Sequence, residues 1–196
     1  SLGVIMAMHM RNFDPMRGKS DDEIISAKVV NGSYGALIGS SDRLSSGLTD
    51  LLRGLLTDSE KARWSLEDVF DWMDGRRLTV NQSVKLKKAA RGIKFDGISF
   101  FYAKTFAHRL LQKPQEAVPI IESHELTHWI ERSLSNNEML ERVNLAMSSA
   151  KEGGMGVGYW DKLLPRISIA LDPSAPIRYR SMSMHINAIG NAMADA

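Results

Sequence analysis

The chain has 196 residues, of which 43% are hydrophobic and 24% charged, enough apolar material for one compact domain or two small ones and too much for a disordered chain. With 25 basic and 23 acidic residues the formal charge is only +2, so no strong field points to nucleic acid or to an anionic membrane. The lack of cysteine excludes disulfides, thiolate-held metals and a thiol nucleophile and fits a reducing, cytoplasmic setting, and no apolar run approaches the ~20 residues that span a bilayer.

Residues 2–10 are apolar almost all round, which a helix tolerates only when it is covered on every side. A basic leader and a cleavage site are both missing, so the segment reads as a buried helix and not as a signal core. Residues 11–19, with Pro15 and Gly18, form a loop. Ser20 and Glu23 make a capping box, each side chain satisfying a backbone donor, and start a helix that runs to about Val30. Asn31-Gly32 stops it, and the glycine- and serine-rich stretch 35–47 reads as a connecting loop.

The most organised stretch follows, at residues 48–73. Leu48, Leu51, Leu52, Leu55 and Leu56 repeat at the spacing of an amphipathic helix with one buried stripe, ending near Thr57. Ser65 stands as an N-cap with Asp68 three residues later, and Leu66, Val69, Phe70 and Met73 form the next stripe. Trp64 and Val69 are placed as a hydrophobic staple, and Asp74-Gly75 closes the helix. Arg63 lies just before this capped helix.

That order resembles the last two helices of a protein kinase's large lobe, where an arginine before the final helix pairs with the glutamate of the A-P-E motif. Upstream, Ser1-Leu2-Gly3-Val4-Ile5-Met6 is similar to the S-L-G-V opening of the lobe's central helix. Asp22-Glu23-Ile24-Ile25, then Lys28, Gly32 and Tyr34, are similar to the E-E-I-I…K…G-x-Y run around the next helix. The resemblance covers about residues 1–76. It implies that the D-x-x position anchoring the catalytic loop lies just before Ser1, and that the carboxylate partner of Arg63 lies upstream of residue 1. A buried guanidinium left without a partner would be costly.

Residues 77–90 turn basic and polar, a composition shift that marks a linker and reads as a solvated surface segment. Ile93, Phe95, Ile98 and Phe100 alternate around Asp96-Gly97, a strong hairpin signal near 92–101, and the hairpin must lie against something to be stable. Helices are expected at 103–112, 114–121, 123–134 and 137–149, with Leu126, Trp129, Ile130 and Leu134 as one stripe. Residues 151–158 form a glycine-rich break. Trp160, Leu163, Leu164, Ile167 and Ile169 suggest a helix that Pro165 kinks or restarts. Residues 171–179 read as a loop, and a last short helix is expected at 186–194. The hairpin, the Leu126/Trp129/Ile130 stripe and the LDPSAPIRYR stretch resemble a tail found after kinase-like domains in bacteria.

Kinase chemistry needs a glycine-rich loop, a strand lysine, an H-R-D aspartate and a D-F-G aspartate. His108-Arg109-Leu110, Phe95-Asp96-Gly97 and Gly154-Met155-Gly156-Val157-Gly158-Tyr159 each miss the pattern. The chain therefore carries no catalytic residue and no cofactor of its own. ATP and Mg²⁺ belong only to an intact parent. The rival motif is His124-Glu125-Leu126-Thr127-His128, a complete H-E-x-x-H, in which two histidines one turn apart hold Zn²⁺ and a glutamate activates its water. Glu138, Glu141 or His185 could be a third ligand. Pro119 and the N-cap Ser123 set His124 in the first turn of a helix, opposite the apolar stripe, so the motif reads as an exposed helix start. The methionines, among them Met139, Met147, Met182, Met184 and Met193, read as packing residues. Arg178 and Arg180, flanking Tyr179, are too few for a nucleic-acid site.

These observations lead to a mainly α fold: a helical remnant of a kinase large lobe at 1–76, a linker at 77–90, and a small helical domain with one β-hairpin at 91–196. The expected function is a regulatory or protein-binding scaffold from the C-terminal part of a serine/threonine kinase-like protein, whose partner is an upstream kinase segment, a second copy or a regulated protein. The alternative is a zinc-dependent metallopeptidase using His124, Glu125 and His128.

Overall fold

A computed structural model describes residues 2–39, 44–80, 86–152, 154–156, 158–179 and 182–185. The fold is mainly α, and the chain divides into two compact units, residues 1–86 and 87–196. Among the described residues no helix is long and apolar enough to cross a membrane.

The first unit holds α1 (Leu2–Arg11), α2 (Asp21–Leu37), α3 (Ser46–Leu55) and α4 (Leu66–Met73), with one 3₁₀ turn at Glu60–Ala62. Helix α3 sits between two apolar clusters because its leucines face two ways. Leu52 and Leu56 pack with Ala7, Leu37 and Ile38, while Leu51 and Leu55 pack with Trp64. Close approach needs small residues. Gly3 of α1 lies against α3, where a Cβ would come within 2.9 Å of Leu55 Cβ. Gly54 of α3 lies under the Trp64 indole, which any Cβ there would overlap, and Trp64 N–H donates to the Gly54 carbonyl at 3.1 Å. Of the expected all-round cover on α1, this unit supplies one side: Gly3 and Ala7 are buried, and Leu2, Ile5 and Met10 are exposed.

Two expectations in this unit need correction, and a third holds in part. Asn31-Gly32 does interrupt the helix, but a second helical segment follows directly. Gly32, at φ 69° and ψ 165°, kinks it, and the helix resumes to Leu37. The reason is distant in sequence: the Asp58 carboxylate accepts the Ser33 N–H at 3.1 Å and 3.2 Å, and also the Ser33 hydroxyl, capping the resumed helix. The loop expected at 35–47 is therefore helical up to Leu37. The stripe of α4 does not face inward as a whole, either. Val69 and Trp72 pack against the Trp64 cluster, and Leu66, Phe70 and Met73 are exposed. The Ser65–Asp68 capping box that starts α4 is present in full, with Ser65 N–H to Asp68 Oδ2 at 2.7 Å.

The second unit begins with the hairpin β1 (Ile93–Phe95) and β2 (Ile98–Phe100), paired Ile93 to Phe100, Lys94 to Ser99 and Phe95 to Ile98. Asp96 and Gly97, at φ 50° and 72°, give the two positive values that the tight two-residue turn requires. The hairpin lies on α5 (Ala103–Gln112) through rings: Phe106 meets Phe95 at 5.5 Å, Phe100 at 5.9 Å and Trp129 at 5.8 Å between centroids. Then come α6 (Pro114–Glu122), α7 (Glu125–Trp129) running on as a π-helical turn at Ile130–Leu134, α8 (Asn137–Glu152) and α9 (Tyr159–Leu171). Helix α9 runs on through Pro165, the seventh of its 13 residues, and Leu163, Leu164 and Ile167 anchor it in the core.

Part of the expected linker is not a free segment. Ala89 is buried, its N–H donates to the Phe101 carbonyl at 2.8 Å, and the Ala90 N–H donates to the Ser133 carbonyl at 2.9 Å. Residues 81–85 of that linker, and the helix expected at 186–194 with Met193, lie outside the described residues. The loop expected at 171–179 ends in a strand. β3 (Ile177–Tyr179) pairs with β4 (Met182–Met184), so the described residues hold two antiparallel strand pairs where one hairpin was expected.

Gly54→Ala is expected to destabilise the first unit by ~1–2 kcal/mol, because overpacking against the indole outweighs the ~1 kcal/mol gain in helix propensity. Urea unfolding followed by tryptophan fluorescence would register an earlier midpoint. Gly47→Ala, where a Cβ would stand 3.6 Å from Trp72 Cζ2, is the control and should move the midpoint up or leave it unchanged.

Candidate functional site

Arg63 is the residue the sequence singles out, and its setting differs from the expected one. It follows the 3₁₀ turn, is exposed, and donates Nε–H to the Thr57 carbonyl at 2.9 Å and Nη2–H to the Asp58 carbonyl at 3.4 Å. These carbonyls lie in the turn just beyond Leu56, the C-cap of α3. A guanidinium suits them, since it offers several donors in one plane and positive charge at a helix C-terminus. Because the group is exposed and hydrogen-bonded, the expected cost of an uncompensated buried charge does not arise. Among the described residues no carboxylate pairs with it. Arg63 borders a hollow of about 160 Å³ whose walls include Leu2, Gly3, Leu55, Trp64 and Leu66.

The histidines of the H-E-x-x-H motif do not form the helical pair that the zinc reading needs. His124 does not stand in the first turn of a helix, as the sequence suggested. It has φ 60° in the left-handed region and sits before α7, with its carbonyl accepting the His128 N–H at 3.1 Å and the Thr127 hydroxyl at 2.9 Å. The chain turns there because α6 ends at Glu122 and Ser123 caps it, so α7 must start afresh. His124, Glu125 and His128 are exposed, and His128 Nδ1 lies 3.9 Å from Glu131 Oε2. Glu138 is held by Arg142 Nη1 at 2.6 Å, while Glu141 and His185 are exposed. Among the described residues no three histidine, aspartate or glutamate side chains converge as a metal-holding group.

A polar cluster that local spacing does not reveal lies along α5. Arg109 pairs with the Asp96 carboxylate in the β1–β2 turn, with Nε to Oδ2 at 3.0 Å, and donates Nη1–H to Gln112 Oε1 at 2.7 Å. The Arg178 guanidinium donates to His108 Nδ1 at 2.8 Å, across 70 residues of sequence. The near-miss tripeptides of kinase type are thus fastened to each other: His108-Arg109 lies on a helix and Asp96-Gly97 is the turn it grips. Arg180, the second arginine beside Tyr179, lies outside the described residues. What the cluster does chemically is join the first hairpin, α5 and β3.

No family model matches this chain, and neither does any curated protein or solved structure. The functional reading therefore starts from the geometry, which includes the hollow beside Arg63 and the cluster of ion-paired side chains on α5.

The Arg109 guanidinium, aided by Lys113, holds the Asp96 carboxyl below its ordinary value of 3.8. A lowered native value means that the pairing contributes fully above pH 3.8 and is lost as pH falls through the native value. Asp96→Asn keeps a residue that accepts positive φ and should be less stable than the parent at pH 7. The two denaturation midpoints should converge below pH 3.8, and a gap that stays constant down to that range would exclude the pairing as its cause.

Proposed function

We propose that this chain is the C-terminal part of a serine/threonine protein kinase-like protein, kinase or pseudokinase, and that it serves as a non-catalytic regulatory or protein-binding scaffold. The observation that carries this is the hollow beside Arg63. Its volume of about 160 Å³ is below the ~300–1,000 Å³ of sites that enclose a small molecule, and suits one inserted side chain better than a nucleotide. Its walls are apolar, and the cation at its border has no carboxylate among the described residues. An apolar residue followed closely by a carboxylate answers both features, which is the chemistry of the A-P-E segment in the family the sequence resembles. The order of motifs in residues 1–76 supports the same reading, with ATP and Mg²⁺ left to an intact parent. For the alternative, a zinc-dependent metallopeptidase, the arrangement of His124, Glu125 and His128 offers no support.

A short peptide containing Ala-Pro-Glu, titrated into the full chain and followed by NMR, should perturb signals from Leu2 and Leu66 with weak affinity. Arg63→Ala, or Ala-Pro-Gln in place of Ala-Pro-Glu, should abolish the effect; equal responses from both peptides would remove the basis of the reading. Mg-ATP should leave the melting temperature unchanged, since a ligand at 100 times its Kd stabilises by ~2.7 kcal/mol and would be seen. Zinc retained after dialysis and lost in His124→Ala would transfer the argument to the peptidase.

A further inference from the structure

Helix α4 is apolar on two sides, and the first unit covers one. Val69 and Trp72 take the inner side. Leu66, Phe70 and Met73 are 66%, 60% and 67% exposed; at 3.6 residues per turn they fall within a sector of roughly 60°. Leu2 of α1, 46% exposed, shares a wall of the hollow with Leu66, so the apolar strip runs on from α4 to α1. Three large apolar side chains in a row on a helix of eight residues exceed the scattered exposure of an ordinary surface and mark an interaction site.

Along α4 the edge of the strip is acidic, and Arg63 stands at the far end of the strip, where Leu66 meets Leu2. Glu67, Asp71 and Asp74 follow around the helix on the side away from the core, and α4 itself holds no lysine or arginine. Asp71 pairs with Arg76 at 2.8 Å. Glu67 and Asp74 are exposed and form no ion pair among the described residues. Apolar contact and charge complementarity together specify the occupant. We propose that the Leu66/Phe70/Met73 strip docks an amphipathic helix of a partner protein, apolar on one face and carrying lysine or arginine along one edge. A second copy packed antiparallel on the same strip would bring acids to acids. This assignment rests on the protein-binding reading above, names the partner's chemistry, and turns on side chains that do not line the hollow, Phe70 and Met73.

The test uses the full chain and two labelled model helices of about five turns, one built from leucine and lysine and one from leucine and glutamate, with binding read by fluorescence anisotropy at ~150 mM salt. The leucine–lysine helix should bind saturably and the leucine–glutamate helix should not. Phe70→Ser with Met73→Ser should weaken binding about tenfold or more, and Glu67→Lys with Asp74→Lys about fivefold, with melting temperatures unchanged because the residues are exposed. Equal binding of the two helices, no saturable binding, or an affinity indifferent to Phe70→Ser with Met73→Ser would overturn the proposal. A dimer in sedimentation that dissociates in that double variant would overturn it too, by assigning the strip to a second copy. The Ala-Pro-Glu peptide, measured on the same samples, separates the two readings: its Arg63-dependent binding can persist when docking at α4 fails.

Discussion

A tryptophan ring resting on a glycine is the contact on which the first unit depends. Gly54 has no side chain, so the Trp64 indole reaches the α3 backbone while the Trp64 main-chain N–H bonds the Gly54 carbonyl. With Trp64 fixed, the chain on either side has little freedom. Arg63 is turned back over the carbonyls of Thr57 and Asp58, and Ser65 is set where it caps α4. Asp58, held by that same turn, caps the resumed half of α2 at Ser33. One small residue thus coordinates three helices, and none of these bonds is strong alone, at about 1 kcal/mol net for an ordinary hydrogen bond.

The second unit is centred differently, on Phe106. Three aromatic rings meet it from two hairpin strands and from α7, and the Trp129 indole N–H donates to the Arg91 carbonyl at 2.7 Å. A two-stranded hairpin has too little buried surface to persist unaided, and here it gains the missing surface from α5. The Asp96–Arg109 ion pair then ties its turn to the same helix.

Where structure follows from neighbours in sequence, it was legible. The capping boxes at Ser20 and Ser65, the Asp96-Gly97 turn and the bounds of α5 depend on contacts within a few residues. What failed had a distant cause. The resumption of α2 after Gly32 needs Asp58, which lies 25 residues beyond Ser33. The phase of α4 is not legible locally because a helix with apolar residues on two sides has no single stripe, and only the position of Trp64 selects Val69 and Trp72 as the inner pair. His124 reads as helical until the end of α6 forces a left-handed residue between two helices. For the candidate site, the resemblance singles out Arg63 but says nothing of its surroundings here, since the carbonyls that receive it are backbone groups any sequence could supply.

The long reach of the second unit has a consequence for how the chain leaves the ribosome. Ser168 on α9 bonds back to Ala107 on α5 across 61 residues, and α9 contributes Leu163, Leu164, Ile167 and Leu171 to the core that encloses Phe106. Until Leu171 has emerged, Phe106, Leu110 and Trp129 lack their last wall, and contacts of such sequence separation form late and slowly. A nascent chain stalled between α8 and α9 would therefore present a greasy, unfinished half-shell to the holdases that patrol translation, whereas the leucine clusters of the first unit would already be closed.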